Sequence, residues 1–185
     1  MNIKAFIEFK QYDKQGNLID TKKIRANSLV HNYMVLMSIM LGGISQSIKK
    51  TNGGTYSMSA SYLDNITTTA PAGDIAYGIM AGTGENAVTI NDYALQTPIA
   101  HGSGSGQLEY DATTVGEATI SGSNSYTQVD RVLTNTSGGT INIKEIALGF
   151  YYSITGAFII DRSLVDYSIL TGNLIKVRYT LQITV

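Results

Sequence analysis

The residues of this chain that could do acid–base or metal chemistry are few and scattered. It has two histidines, His31 and His101, and no cysteine. A metal site needs further imidazoles, thiolates or carboxylates close by, and none stands at ligand spacing from either histidine, so neither a metal nor a cofactor is expected. The lack of cysteine also excludes disulfides and thiolate nucleophiles. A serine nucleophile of the elbow type needs Gly-x-Ser-x-Gly between a strand and a helix. In Gly102-Ser103-Gly104-Ser105-Gly106 the outer glycines are spaced correctly, but Gly104 occupies the nucleophile position. Gly82-Thr83-Gly84 begins like a phosphate-binding loop, yet the P-loop lysine is missing and no helix pattern follows Ala87, so a tight turn is expected. Glycoside hydrolysis requires two carboxylates facing each other across a cleft, and the nearest pairs are Asp161 with Asp166 and Glu109 with Asp111. No tryptophan and no aromatic subsite pattern accompanies them. The expectation is a protein without catalytic residues. One charged pair has a structural use: Glu145 shares a strand face with Ile141 and Ile143, and Arg162 shares one with Phe158 and Ile160. The two are expected to pair near the end of a sheet and hold register.

Composition points to surfaces rather than chemistry. Hydrophobic residues make up 43% of the 185 residues and charged residues only 15%, against roughly 25% charged in an ordinary soluble domain. Low charge with many Gly, Ser, Thr and Asn residues suggests a surface that meets other protein. Thirteen basic and fourteen acidic residues leave a net charge of −1. The adjacent lysines, Lys22-Lys23 and Lys49-Lys50, are separated pairs, so nucleic-acid binding is not expected. The apolar stretch from Leu29 to Leu41 is too short to span a bilayer, and no membrane partner is expected. The opening Met1 to Lys10 alternates charge with apolar residues and lacks the continuous apolar run of a signal peptide.

The elements that would position such surfaces read as mainly β. Ile3, Ala5, Ile7 and Phe9 alternate with Asn2, Lys4, Glu8 and Lys10, Asp13-Lys14-Gln15-Gly16 supplies a turn, and Leu18 to Ile24 returns as the second strand of a hairpin. One helix is expected over about residues 28–41, capped by Asn27 or Ser28 and stopped by Gly42-Gly43. Leu29, Tyr33, Leu36 and Met40 lie along one face, while Val30, Met34, Met37 and Leu41 widen the stripe until little polar surface remains. Either it plugs the end of a sandwich, or its methionines adapt to a neighbouring subunit. Leu29, Tyr33, Met34, Leu36, Met37 and Met40 are therefore the candidate interface.

Residues 45–73 are rich in Ser, Thr, Asn and Gly and read as a long loop with a short strand near Tyr56 to Tyr62. Strands are expected over Asp74 to Ala81, Ala87 to Ile90, Gln107 to Val115, Ala118 to Leu133 with a break at Ser121-Gly122-Ser123-Asn124, Thr140 to Phe150, Ala157 to Arg162 and Leu174 to Val185. Asn91-Asp92-Tyr93 is expected to begin a helical turn. Strands and helices do not alternate, which favours one antiparallel β-sandwich domain over 1–185, of jelly-roll type or another order, with residues 1–43 as an assembly element.

Several segments look familiar together. Gly78-Ile79-Met80-Ala81-Gly82-Thr83-Gly84, Asp92-Tyr93-Ala94-Leu95 and Ile99-Ala100-His101-Gly102 resemble tailed-bacteriophage virion structural proteins of β-sandwich type. So do Thr134-Asn135-Thr136-Ser137-Gly138-Gly139, Ile143-Lys144-Glu145-Ile146-Ala147-Leu148, Asp161-Arg162 and Tyr179-Thr180-Leu181-Gln182-Ile183. Asn27-Ser28-Leu29-Val30 entering a helix fits the same pattern. The resemblance implies no enzyme activity and no cofactor. It implies many identical copies in a virion, homo-oligomeric or bound to major capsid or tail subunits. A capsid decoration or cement subunit is the first expectation, a tail, collar or fibre-base subunit the second, and a host-glycan binder using the twelve tyrosines the third.

Overall fold

Alternation dominates the first strand, and the chain uses it directly. In the computed structural model, which describes residues 2–26 and 29–184, β1 (Asn2–Tyr12) buries Ala5, Ile7 and Phe9 while Lys4, Glu8 and Lys10 point to the wet side. The turn after it is held by Asp13, whose carboxylate accepts the amides of Gln15 and Asn17 at 2.9 and 2.8 Å, and by Gly16 at φ 83°. β2 (Leu18–Ala26) returns antiparallel on β1. On its other side β1 pairs along its whole length with β13 (Leu174–Thr184), which sets Ile7 opposite Tyr179 and Phe9 opposite Val177. β10 (Asn124–Thr134) follows β13, and β7 (Glu109–Tyr110), β8 (Thr114–Val115) and β9 (Thr119–Ser121) all pair with β10.

The second sheet is built on β11 (Ile141–Tyr152), flanked by β12 (Gly156–Ile169) on one side and by β5 (Ile66–Thr67) and β6 (Gly78–Gly82) on the other. Inward residues of both sheets, among them Phe9, Val177 and Tyr179 against Ile146, Leu148 and Phe158, form one core cluster. The result is a mainly antiparallel β-sandwich. Full burial of each Ile, Val or Phe in it contributes about 1.5–3 kcal/mol. Residues 45–73 are not one long loop. They hold a separate hairpin, β3 (Gln46–Lys49) with β4 (Thr55–Met58), and a 3-10 turn over Ala60–Asn65 before β5.

One substantial helix, α1 (His31–Gly42), leads from β2 into this hairpin. The expected caps Asn27 and Ser28 lie outside the described residues, and the N-cap position belongs to Val30. Val30 is extended at φ −83° and ψ 169° and makes no side-chain cap. Its amide instead donates to Ile160 O at 2.9 Å, and Leu29 forms a bridge with Asp161, so the chain lies along β12 before it coils. Gly43 ends the helix at φ 63° with its amide on Ile39 O, as its lack of a Cβ allows.

The buried face of α1 is Asn32, Val35, Leu36 and Ile39, one step round from the expected row of Leu29, Tyr33, Leu36 and Met40. Asn32 decides this: its amide donates to Lys49 O at 2.8 Å and Ile159 O at 3.1 Å and accepts from the Lys49 amide. Met34 and Met40 are left 59% and 63% exposed.

The strand expected over Asp74 to Ala81 is realised only in its second half, as β6, and the one expected over Ala87 to Ile90 is absent. Over residues 74–77 and 87–90 the described chain has no ladder. Carbonyls of Asp74 and Tyr77 bind Arg131, and the carbonyl of Asn86 binds Arg162. Asn91 and Tyr93 begin no helix, only a turn at Ile90 and Asn91.

Candidate functional site

Three candidate interface residues converge on an apolar groove of about 400 Å³ where α1 meets the open end of the larger sheet. Leu29, Tyr33 and Met37 form one wall, Ile3 and Ala5 of β1 with Leu181 and Ile183 of β13 form the floor, and Ala118 and Tyr126 close the far side. Among the described residues no charged side chain lines it. Of the other candidates, Leu36 is buried beneath the helix, whereas Met34 and Met40 stand in solvent beyond the groove, followed by Leu41 at 84% exposure. Ile120, at 80% exposure, is carried by β9 directly opposite Ser125 of the groove wall. Surface hydrophobes scattered singly need no explanation, but here an uncharged apolar groove and exposed methionines lie on and beside one helix.

The charged groups that might have formed an active centre are bound up internally. Arg162 Nε donates to Glu145 Oε2 and its Nη1 to Asp92 Oδ2, both at 2.7 Å, with Glu145 0% and Arg162 1% exposed. Glu145 also accepts the amides of Gly84, Gln96 and Thr97 at 3.2, 3.1 and 2.8 Å. The pair is thus a clamp on the connection from Thr83 to Thr97 as well as a link between β11 and β12, where Arg162 stands opposite Ala147, diagonal to Glu145. Burial pushes the Asp92 carboxyl up, but hydrogen bonds from Arg162 and Thr89 outweigh it and leave it below the usual range.

This clamp also explains Gly82-Thr83-Gly84. A Cβ on Gly82 would sit 2.5 Å from Glu145 Oε1, and one on Gly84 would sit 2.6 Å from it. These glycines let the backbone close over a carboxylate of the chain itself.

Arg131, whose type and spacing match no chemical motif, makes a second clamp. It is 1% exposed. Nε donates to Asp111 O at 2.7 Å, Nη1 to Tyr77 O and Ile79 O at 3.3 and 2.9 Å, and Nη2 to Pro71 O and Asp74 O at 3.3 and 2.5 Å. Its guanidinium lies over the Tyr110 ring at 4.9 Å. The available signal was parity: Arg131 lies between Val129 and Leu133 on the inward face of a strand, where a cation must find acceptors.

The remaining candidates do not come together. Asp161 is buried and accepts from Tyr179 Oη and Ser163 Oγ, whereas Asp166 is in solvent with Lys144 at 2.7 Å, so they share no cleft. Asp111 turns outward beside half-buried Glu109. His31 is exposed, and His101 Nδ1 accepts the Tyr110 amide at 3.2 Å. Among the described residues no group of three or more His, Cys, Asp and Glu side chains is placed to hold a metal, and no helix is long and apolar enough to cross a membrane. Of the twelve tyrosines, five (Tyr77, Tyr110, Tyr152, Tyr167 and Tyr179) are buried and the other seven are only half exposed, some stacked on each other as in Tyr62 on Tyr152 and Tyr77 on Tyr151.

No family model, no curated protein and no solved structure matches this chain.

Proposed function

We propose that this chain is a non-enzymatic structural subunit of a virion, most specifically a decoration or cement subunit on a capsid, and that it docks on neighbouring protein through the groove beside α1. One observation carries the docking part: the groove walled by Leu29, Tyr33 and Met37 is apolar, uncharged and open, while every buried cation of the chain has its acceptors inside the fold. Burial of such a surface against a partner is favourable at about 25 cal/mol per Å² of apolar area. The virion part rests on the sequence segments that resemble phage structural proteins. Low charge supports it, because a subunit covered by neighbours needs less solvation than a free one.

Quantitative mass spectrometry of purified virions from the source of this sequence tests the proposal. The chain is expected at a fixed stoichiometry of many copies per particle, and particles stripped of it are expected to break at lower temperature. A stoichiometry matching the capsid lattice supports the cement role, a few copies per particle supports a tail, collar or fibre-base role instead, and absence from the particle refutes the proposal.

A further inference from the structure

The two sheets end differently, and the difference marks a second binding surface. β12 is an outer strand of the smaller sheet, and its free side is closed by the chain itself. Val30 N donates to Ile160 O, Thr51 N to Ala157 O, the Asn32 amide to Ile159 O and Lys22 Nζ to Asp166 O. β2 is the outer strand of the larger sheet. Among the described residues no strand pairs with it except β1, and no backbone hydrogen bond reaches it from elsewhere. A regular strand with an unpaired side presents a row of amides and carbonyls ready for one more strand.

Beside that row lies a cleft of about 480 Å³ between Lys22, Ile24 and Arg25 of β2 and Leu164, Val165 and Asp166 of β12. A strand laid against β2 would place its inward side chains over Ile24, Leu164 and Val165 and its outward ones over the wet face. On that wet face stand Lys23 and Arg25 with Lys4 of β1; Glu8 of β1 lies opposite Lys23, but none of the three cations forms a direct ion pair among the described residues, and they outnumber that one carboxylate. Lys23 Nζ rests 4.9 Å above the Phe6 ring, and Phe6 is the cross-strand partner of Arg25. These cations gather in a chain whose net charge is −1.

We propose that the free side of β2 accepts an extended, acidic segment of another protein by strand addition, its carboxylates alternating with apolar residues so that they meet Lys23 and Arg25 while the apolar ones enter the cleft. A second copy of this chain is the poorer occupant. Symmetric antiparallel pairing of two β2 strands centred on residue 22, 23 or 24 sets Lys22 on Lys22, Lys23 on Lys23 or Lys23 on Arg25, and like charges directly opposite are destabilising; the register centred on Thr21 sets Asp20 on Lys22 but leaves Lys23 facing Ile19 and Arg25 without a carboxylate. Lysines on an open strand repel like edges, and the same charges select an acidic one. This surface is separate from the α1 groove, so either proposal can fail alone.

The test uses the full chain and a short peptide of alternating Glu and Val, with its Lys–Val counterpart and an N-methylated Glu–Val version that lacks the backbone donors. The Glu–Val peptide is expected to slow amide exchange across Ile19 to Arg25. It should bind at least about tenfold more tightly than the Lys–Val peptide at low salt, a gap of about 1.4 kcal/mol. The N-methylated peptide should not bind. The double variant Lys23→Glu with Arg25→Glu, both exposed positions, should reverse the preference, and Met37→Asp in the groove should leave it unchanged. Equal binding of both peptides, undiminished binding of the N-methylated one, or dimerisation of the chain through β2 in place of peptide binding would each overturn the proposal.

Discussion

The interior clamps and the α1 groove solve opposite problems. At Arg131 and at the Glu145–Arg162 pair, charge is buried and every visible donor is answered from within the chain. At the groove, apolar surface stays open and none of the described residues covers it. The buried charges hold connections, Pro71 to Ile79 and Asp111 by Arg131 and Thr83 to Thr97 by Glu145.

The largest effect expected is on the Arg131 clamp. Arg131→Leu strands the carbonyls of Asp111, Tyr77, Ile79, Pro71 and Asp74 in the interior and should cost about 3–5 kcal/mol, read as a shift in the urea midpoint. Glu145→Gln should cost somewhat less, about 2–4 kcal/mol, because Arg162 keeps Asp92 and the Asn86 carbonyl. A double-mutant cycle of Glu145→Gln with Arg162→Met should show strong coupling, and additive losses would mean that the two residues do not act together.

Acid is a milder probe. Asp92 and Asp130 hold their carboxyls below the ordinary 3.8, since burial raises each but hydrogen bonds from Arg162 to Asp92, and from Arg178 and Lys176 to Asp130, prevail. A pKa lower in the folded than in the unfolded chain gives stability that is full above the unfolded value and lost as pH falls through the folded one, so stability should decline below about pH 4. Asp130→Asn should flatten that decline in acid titrations followed by circular dichroism.

The smallest stability change is expected at the groove. Met37→Asp, at a half-exposed position facing the opening, should alter the free energy of unfolding by less than about 1 kcal/mol. Incorporation into particles should nonetheless fall more than about tenfold, a loss of about 1.4 kcal/mol of binding. A large loss of stability instead would make Met37 part of the core and erase the contrast.

Strands with one buried and one wet face were legible in the sequence wherever their partner lay. β1 and β13 could be read from alternation, and β2 from the turn that returns it onto β1. The helix could be located but not oriented, since apolar residues surround it and Asn32, one amide among them, chose the face by bonding Lys49 and Ile159. Residues 74–77 and 87–90 look like strands to a pattern reader, yet the carbonyls of Asp74 and Tyr77 turn to the Arg131 guanidinium from β10, and those of Thr89 and Ile90 to the amides of Asp92 and His31. Glu145 and Arg162 were found by parity along two strands. Their hold on Gly84, Gln96 and Thr97 was not, because it depends on a loop folding back across the sheet. The open side of β2 was invisible, as strand order is not written in any single segment.

The account stands on the groove being covered by another protein. Replacing Met37 with a photo-crosslinking residue in the full chain, assembling particles and irradiating them tests this directly: one discrete adduct between residue 37 and a neighbouring virion protein is predicted, whereas assembled particles in which residue 37 yields only water-quenched product would contradict it.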